Sequence, residues 1–180
     1  VSLLFALARH IPRADAGMKA GEWPKNGLTG FELEGKRLGV IGLGRIGATV
    51  ARKAVGIGME VAAFDPFLPA SASGRMSVPM KTLDELLAWA DIITLHIPRT
   101  KETTNIIGEA QMRAMRKGSY LINAARGGLV DEEALVKVLD EGHLAGAALD
   151  TFVTEPLQKD SPLRANPKLI LTPHLGASTS

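Results

Sequence analysis

The sequence predicts an α/β protein built on a doubly wound parallel sheet, preceded by an N-terminal helix and an extended arm. Short apolar runs alternate along the chain with stretches of helical periodicity, which is typical of repeated βαβ units. The apolar runs are continuous, which indicates strands that are buried on both faces of the sheet. A glycine-rich segment, Gly42–Gly47, lies between the first of these strands and the helix that follows it.

Each predicted strand is a short apolar run that ends close to a polar residue or a proline. Asp65 and Pro66 end the second run, and Pro98 follows the third. The predicted strands are Leu38–Ile41, Val61–Phe64, Ile92–Leu95, Tyr120–Ile122, Ala145–Leu149 and Leu169–Leu171.

Helices are predicted between these strands from their periodicity and their capping residues. Thr82 and Glu85 form a capping box, which begins a helix that ends at about Trp89. A short helix is predicted over 111–116, and Asp131 caps another helix further along the chain. The helix after the glycine-rich segment has an apolar face formed by Ile46, Val50, Ala54 and Ile57.

Residues 1–35 differ from the rest, and we expect them to form a crossover helix and a dimerisation arm ahead of a nucleotide-binding domain at 36–180. Ser2–His10 is predicted to be helical, and Pro12 breaks or bends that helix. The segment Gly21–Phe31 is rich in Gly, Pro and Asn and is predicted to be extended, outside the sheet. Its apolar side chains Trp23, Leu28 and Phe31 have no strand partner, so we expect a second copy of the chain to bury them.

The composition excludes several classes of protein. With 46% hydrophobic and 22% charged residues, the 180-residue chain is not disordered, and no apolar run approaches the ~20 residues of a membrane-spanning helix. The 21 basic residues nearly balance the 19 acidic ones, so we expect neither nucleic acid nor membrane as a partner. The absence of Cys excludes disulfides and thiolate metal sites. We expect no bound metal. We expect the protein to be cytoplasmic. The chain does not begin with Met, and we expect it to be part of a longer protein.

The glycine-rich segment has the G-x-G-x-x-G pattern of the dinucleotide-binding turn in Rossmann-like domains. Its first glycine, Gly42, permits a tight turn, Gly44 lets the backbone approach a pyrophosphate, and Gly47 lets helix and strand pack closely. Free N–H groups at the helix N-terminus, including that of Arg45, attract the phosphates. Asp65 lies about 20 residues further on, where a carboxylate binds the ribose hydroxyls of NAD and repels the 2′-phosphate of NADP. NAD is therefore the predicted cofactor. The alternative interpretation is that Gly42–Gly47 is only a tight turn and that Asp65 is an acid that merely ends a strand.

The other candidate residues follow the carboxyl ends of the predicted strands. In a parallel sheet these ends lie along one edge, where ligands bind, so the side chains should converge on one crevice. The candidates are His96, Asn123, Arg126, Asp150, Glu155 and His174.

Each candidate also has a structural interpretation. His96 is as well explained by a satisfied loop histidine as by catalysis, and Asn123 by holding a turn. Arg126 and Glu155 could instead be solvated surface groups, and His174 could instead be a structural residue. Two further histidines, His10 and His143, are interpreted as surface residues without a role.

These motifs, in this order along the chain, resemble the D-isomer-specific 2-hydroxyacid dehydrogenases, and the resemblance covers nearly all of the sequence. It implies that Arg126, Glu155 and His174 are catalytic and that Asp150 contacts the nicotinamide side of NAD. Two local departures are Thr151, where a Val is expected, and Thr154, where an acid often stands. The matching stretches are Gly42–Gly47, Asp65, Thr94–Pro98, Asn123–Asp131, Gly146–Asp150, Glu155–Pro156 and Pro173–Gly176. The cofactor contacts implied are Gly42, Gly44, Arg45, Ile46, Gly47, Asp65, His96, Pro98, Ala124, Arg126, Asp150, His174 and Gly176.

The function implied by the resemblance is hydride transfer between NAD and a small-molecule D-2-hydroxy acid. Ala8–Ala14, Met18–Trp23 and His174–Thr179 favour D-3-phosphoglycerate as the substrate, oxidised to 3-phosphohydroxypyruvate in the first step of serine biosynthesis. A glyoxylate or hydroxypyruvate reductase is the alternative enzyme, and a non-catalytic NAD-binding module is the alternative of another class. The family pairs its nucleotide domains through the N-terminal region, which implies a homodimer or higher homo-oligomer. Its substrate-binding domain has no counterpart in these residues, so we expect the chain alone to be inactive.

Overall fold

The computed structural model describes residues 1–68 and 78–178, and it confirms the predicted doubly wound parallel sheet. Its strands are β1 (Arg37–Ile41), β2 (Glu60–Phe64), β3 (Ile92–Leu95), β4 (Tyr120–Asn123), β5 (Gly146–Leu149) and β6 (Leu169–Leu171). The strands pair in the order β2-β1-β3-β4-β5-β6, and each neighbouring pair is parallel.

The helices between the strands follow the predicted capping signals. The Thr82 hydroxyl accepts the Glu85 amide and the Glu85 carboxylate accepts the Thr82 amide, which completes the predicted capping box. The Asp131 carboxylate likewise accepts the Ala134 amide at 3.0 Å. No helix in the described ranges is both long and apolar enough to cross a membrane. The helices are α1 (Ser2–Ala8), α2 (Ile11–Lys19), α3 (Arg45–Gly56), α4 (Leu83–Trp89), α5 (Glu109–Ala114), α6 (Glu132–Asp140) and α7 (Pro162–Ala165).

Some element boundaries differ from the prediction. The N-terminal helix ends at Ala8, because His10 adopts the left-handed conformation at φ 51°, and α2 then begins at Ile11. Pro12 lies in the first turn of α2, where its missing N–H needs no partner, so it begins a helix that the sequence prediction missed. α5 begins at Glu109, two residues earlier than predicted, and α7 is a single turn with too little periodicity to predict.

The direction of the crossovers decides which face of the sheet each helix covers. The chain moves one way from β1 to β2 and the opposite way from β2 through to β6, and crossovers between parallel strands are right-handed. α3 therefore packs on one face, while α4, α5, α6 and α7 pack on the other. This arrangement leaves the α3 face of β5 and β6 without a crossover helix.

Helix α1 covers that remaining surface. Leu4, Leu7 and Ala8 are buried in the same apolar core as Ala51 and Ala54 of α3, and α1 contacts β5 and β6. The N-terminal helix thus completes the second face of the sheet.

The arm after α2 bonds to the end of α2 where it begins, and to the rest of the domain near Phe31. The Phe31 amide donates to the Ala8 carbonyl at 3.0 Å, and the Phe31 ring lies 5.0 Å from the ring of Tyr120. Leu28 is half-buried, whereas the Trp23 side chain is 77% exposed. The described domain therefore does not bury the aromatic residue at the start of the arm.

The two histidines interpreted as having no role both hold the backbone. The Nε2 atom of His10 donates to the Thr29 carbonyl at 3.2 Å, which ties the arm to the end of α1. The Nε2 atom of His143 donates to the Met115 carbonyl at 3.1 Å, which ties the turn before β5 to the end of α5. Their role is structural, and the sequence interpretation overlooked it because backbone carbonyls leave no signal in a sequence.

Two buried threonines provide a matched test of how hydroxyl groups contribute to stability. Thr151 is 1% exposed, and its hydroxyl has no partner among the described residues, so Thr151→Val should raise the free energy of unfolding by about 1 kcal/mol. Thr103 is equally buried, but its hydroxyl donates to the Pro98 carbonyl and accepts the Thr100 amide. Thr103→Val should therefore lower the free energy of unfolding by about 1–3 kcal/mol. Urea unfolding of both variants checks this; a loss of stability in Thr151→Val would contradict it.

Candidate functional site

The candidate site lies where the strand order reverses. β1 has β2 on one side and β3 on the other, and ligands bind at the carboxyl ends of the strands beside such a reversal. Gly42 follows β1 and His96 follows β3. Gly42 has φ 97°, and a Cβ there would lie 2.6 Å from the carbonyl oxygen of His96, so only glycine fits this close approach.

The other two glycines of the motif have different surroundings. A Cβ on Gly47 would lie 1.9 Å from the Gly42 carbonyl oxygen, so Gly47 is required by the packing of α3 against the turn. A Cβ on Gly44 would meet nothing within 4 Å, which leaves that backbone open to a ligand. The first intrahelical bond of α3 is donated by Ala48, so the amides of Arg45, Ile46 and Gly47 remain available. The turn therefore fits a pyrophosphate group.

Asp65 is connected directly to the glycine-rich turn. Its Oδ2 atom accepts the Leu43 amide at 2.8 Å, and its Oδ1 atom accepts the Phe67 amide at 2.9 Å. These bonds fix the carboxylate at the end of β2 and leave lone pairs on both oxygens for further donors. A fixed carboxylate at this position suits ribose hydroxyl groups and disfavours an added phosphate.

A cleft of about 450 Å³ brings many of the predicted residues together. It lies along the carboxyl edge of the sheet, and the first residues of the chain, 1–4, form part of its wall. The predicted site residues that line it are Ile46, His96, Ala124, Arg126, Asp150, His174 and Gly176.

Other predicted contacts lie outside this cleft. Gly42, Gly44, Arg45 and Gly47 form the turn and helix start described above, with Asp65 bound to that turn. Pro98 is exposed and does not line the cleft; its carbonyl accepts the Thr103 hydroxyl at 2.8 Å. Within the described part of the chain, no cluster of three or more His, Asp or Glu side chains could hold a metal ion.

His96 is a partly buried histidine of the cleft. Its Nε2 atom lies 3.0 Å from the hydroxyl of Thr94, a residue that the sequence analysis did not list as a candidate on its own. Burial lowers the pKa of His96 to about 4, so the ring is neutral at physiological pH. A neutral ring lining the cleft suits contact with a cofactor better than exchange of a proton.

Glu155 and His174 form a hydrogen-bonded pair. The Nδ1 atom of His174 lies 2.8 Å from Oε2 of Glu155, and Oε1 of Glu155 accepts the Phe152 amide at 2.9 Å. The hydrogen bond to His174, followed by that to Phe152, holds the pKa of the Glu155 carboxyl below its usual range. With Nδ1 engaged by a carboxylate, Nε2 is the ring nitrogen free to meet a substrate.

His174 and Thr172 line both this cleft and a second depression of about 590 Å³. Glu155 lies on this second side, and much of the lining is apolar. The apolar members of the lining are Phe152, Pro156, Leu157, Leu171 and Pro173.

Arg126 is presented to the cleft by a turn that Asn123 holds. Asn123 is 2% exposed at the end of β4; its side-chain Nδ2 atom donates to the Arg126 carbonyl at 2.9 Å, and its Oδ1 atom accepts the Ala125 amide at 3.1 Å. Arg126 is exposed, and its guanidinium donates to the Ala125 carbonyl at 2.6 Å. The remaining donors of this planar fork are available to an anion.

Asp150 is more deeply buried than a simple cofactor contact requires. It is 2% exposed at the end of β5, and its Oδ1 atom accepts the Thr172 hydroxyl at 2.5 Å and the Leu175 amide at 2.7 Å. Its Oδ2 atom accepts the Gly176 amide at 2.8 Å. Thr172 was not among the predicted residues, although its position at the carboxyl end of β6 matches the pattern that identified the others.

Comparison with known proteins places these observations in a family. Residues 1–176 match the family described as "D-isomer specific 2-hydroxyacid dehydrogenase, NAD binding domain". Among curated proteins, the chain is 47% identical to D-3-phosphoglycerate dehydrogenase of Bacillus subtilis (strain 168), over 99% of this chain and 34% of that protein. It is also 47% identical to D-3-phosphoglycerate dehydrogenase of Methanocaldococcus jannaschii, again over 99% of this chain and 34% of the relative. The chain thus spans about a third of the length of these relatives.

Solved structures resemble the fold closely. The TT0316 protein from Thermus thermophilus matches with a TM-score of 0.90 at 40% identity, over 99% of this chain and 56% of that chain. A glyoxylate reductase from Paecilomyes thermophila matches with a TM-score of 0.88 at 35% identity, over 98% and 53%. An NAD-dependent formate dehydrogenase from Staphylococcus aureus, in complex with NAD, matches with a TM-score of 0.85 at 33% identity, over 94% and 51%.

The contrast between Gly44 and Gly47 gives a test of the phosphate-binding turn. Gly44→Ala meets no protein atom at φ −62°, so it should cost about 1 kcal/mol of stability or less while weakening NAD binding at least about tenfold. Gly47→Ala should destabilise the domain itself, because its Cβ collides with the Gly42 carbonyl. Calorimetric NAD titration and urea unfolding separate the two effects; unchanged NAD affinity in Gly44→Ala would contradict the assignment.

Proposed function

Because this chain belongs to the D-isomer specific 2-hydroxyacid dehydrogenases, as an NAD-binding domain with NAD as its cofactor, we propose that the enzyme containing it oxidises a D-2-hydroxy acid. The observation that carries the proposal is the Glu155–His174 pair, which lies beside the cleft that Arg126 also lines. A proton acceptor and a carboxylate-binding cation on one edge are the groups that oxidation of a hydroxy acid needs.

The roles of these residues follow from their geometry. The Arg126 fork binds the substrate carboxylate, which orients the adjacent carbon that carries the hydroxyl group. The free Nε2 atom of His174 accepts the hydroxyl proton, and the Glu155 carboxylate at Nδ1 stabilises the imidazolium that results. Bound NAD supplies the hydride acceptor at its nicotinamide ring. The Gly44 backbone, the start of α3 and Asp65 hold the cofactor at the other end of the site.

For the substrate we propose D-3-phosphoglycerate, oxidised to 3-phosphohydroxypyruvate at the first step of serine biosynthesis in the cytoplasm. Support comes from the curated relatives of that name, which are 47% identical over nearly the whole chain. The stretches Ala8–Ala14, Met18–Trp23 and His174–Thr179 agree with this choice, although Thr179 lies outside the described residues. A glyoxylate or hydroxypyruvate reductase is the second candidate, favoured by the structural match to a glyoxylate reductase.

We also propose that two chains associate through the N-terminal arm. Trp23 is 77% exposed, and Phe5, Ile11 and Met18 of the neighbouring helices are each more than 40% exposed. Exposed apolar groups of this number on one segment are typical of a protein–protein contact. The division into an arm at 1–35 and an NAD-binding domain at 36–180 remains part of this proposal.

The substrate site needs a wall that these residues do not supply. The Glu155–His174 pair is partly exposed, with 36% and 46% of the two side chains accessible. An exposed site admits water, which screens charges and leaves the substrate less firmly placed. We propose that a substrate-binding domain in another part of the enzyme closes the cleft, and that residues 1–180 alone have little or no activity.

A substrate panel on the complete enzyme tests the proposed function. With NAD, D-3-phosphoglycerate should give the highest kcat/KM, followed by unphosphorylated D-2-hydroxy acids, and L-isomers should be inert. NADP should support less activity than NAD, because the Asp65 carboxylate is fixed at the ribose site by two amides. Preference for glyoxylate or hydroxypyruvate reduction would select the second candidate. A lack of turnover with every 2-hydroxy acid would overturn the proposal in favour of a non-catalytic NAD-binding module.

Replacement of Glu155 should change how the rate depends on pH. In the oxidation direction the Nε2 atom of His174 accepts the proton, while the Glu155 carboxylate holds the other side of the ring at 2.8 Å from Nδ1. Because the pKa of Glu155 is lowered, the carboxylate is charged throughout the physiological range. Glu155→Gln removes this charge from beside His174, so it should change the kcat–pH profile and reduce kcat about tenfold or more.

The matched control is Glu133→Gln, an exposed acid on α6, which should leave the profile unchanged. His174→Ala should remove most turnover while leaving NAD affinity nearly unchanged. An unshifted pH profile in Glu155→Gln would show that the pair does not act as assigned.

A further inference from the structure

We infer that Thr172 is a positioning residue for the proposed reaction: its hydroxyl orients the Asp150 carboxylate, and Asp150 fixes the backbone that carries His174. The inference rests on the proposed role of His174 as the proton acceptor. Thr172 belongs neither to the glycine-rich turn nor to the set of Arg126, Glu155 and His174.

Asp150 binds the loop around His174 through both its side chain and its backbone. Its carboxylate accepts the amides of Leu175 and Gly176, at 2.7 and 2.8 Å. Its backbone carbonyl accepts the His174 amide at 2.9 Å. Three successive amides of the loop, 174–176, therefore donate to Asp150, the residue that follows β5.

The loop needs these bonds to Asp150 because His174 has an uncommon backbone conformation. Its φ is 53°, in the left-handed region that residues with a Cβ rarely occupy. A conformation of this kind persists only when the surroundings over-determine it. The direction of the His174 side chain toward Glu155, and of its free nitrogen toward a substrate, depends on that conformation.

Thr172 lies where its hydroxyl can hold the Asp150 carboxylate in place. Its amide donates to the Leu149 carbonyl at 3.0 Å, which continues the pairing of β6 with β5 by one residue and fixes Thr172 beside Asp150. From there its hydroxyl donates to Oδ1 of Asp150 at 2.5 Å. A carboxylate that is 2% exposed needs donors from the protein, and removal of this one leaves Oδ1 with the Leu175 amide alone. The carboxylate then keeps one amide on each oxygen but loses the donor that fixes it to β6, so its orientation is less firmly held.

The test uses kinetics of the complete enzyme. Thr172→Val keeps the volume and the branched shape but removes the hydroxyl, and it should lower kcat between about 10-fold and 100-fold, as expected when a reacting group is displaced by up to about 1 Å. NAD affinity should fall by a smaller factor than kcat, because the glycine-rich turn and Asp65 are untouched although Asp150 and Gly176 line the cleft. Thr172→Ser restores the hydroxyl and should recover kcat to within about threefold of the parent. If Thr172→Val does not fold, Thr172→Ala serves in its place.

Thr151→Val is the matched control. Thr151 is also a buried threonine next to Asp150, but its hydroxyl has no partner among the described residues. The same substitution there should leave kcat and both KM values unchanged. A loss of kcat in Thr151→Val as large as that in Thr172→Val would show that any change beside Asp150 disturbs the site, and would overturn the specific role of the Thr172 hydroxyl.

Other outcomes would also overturn the inference. These are a kcat for Thr172→Val within about twofold of the parent, a Thr172→Ser variant as impaired as Thr172→Val, or a loss of NAD affinity as large as the loss of kcat. Hydrogen exchange of the Leu175 and Gly176 amides separates failure of this inference from failure of the proposed function. Exchange should be slow in the parent and faster in Thr172→Val whether or not the enzyme oxidises a 2-hydroxy acid. Equal exchange in both proteins would exclude this role of Thr172.

Discussion

The Asp150 carboxylate gathers donors from a loop that has no regular secondary structure of its own. One hydroxyl and two amides end on it, and its own carbonyl binds the amide of His174. A buried carboxylate with several donors is held in one orientation, and the donors are held in turn. The position of the His174 ring, its bond to Glu155 and its exposure to the cleft all depend on this group of bonds. The buried Asp150, only 2% exposed, therefore holds the loop that carries His174 at the sheet edge.

Strand order explains why these groups meet at all. The strand order reverses at β1 and β3, and the turn after β1 passes so close to His96 that only glycine fits at Gly42. The strands β4, β5 and β6 bring Arg126, Asp150 and His174 to the same edge. The same order leaves part of one face without a crossover helix, and α1 covers it. Because residues 1–4 also line the cleft, the N-terminal helix contributes both to the core and to the wall of the site.

The two histidines of the cleft differ in environment more than in sequence context. Burial lowers the pKa of His96 and keeps its ring neutral where it lines the cleft. His174 is partly exposed, and its Nδ1 atom lies 2.8 Å from the Glu155 carboxylate. The two histidines thus differ in solvent access and in one neighbouring charge.

The sequence by itself determined the sheet, the glycine-rich turn, the caps at Thr82 and Asp131, and the set of polar residues at strand ends, because each depends on local periodicity, local backbone geometry or the shared polarity of parallel strands. Only the tertiary structure decided which of those residues touch. The support of His174 by Asp150 and Thr172 joins β5 to β6 across 22 positions of the chain. The tie of Asp65 to Leu43 likewise crosses between two strands. Such contacts involve common residue types without fixed spacing, and a hydrogen bond between distant residues leaves no periodic trace along a single sequence.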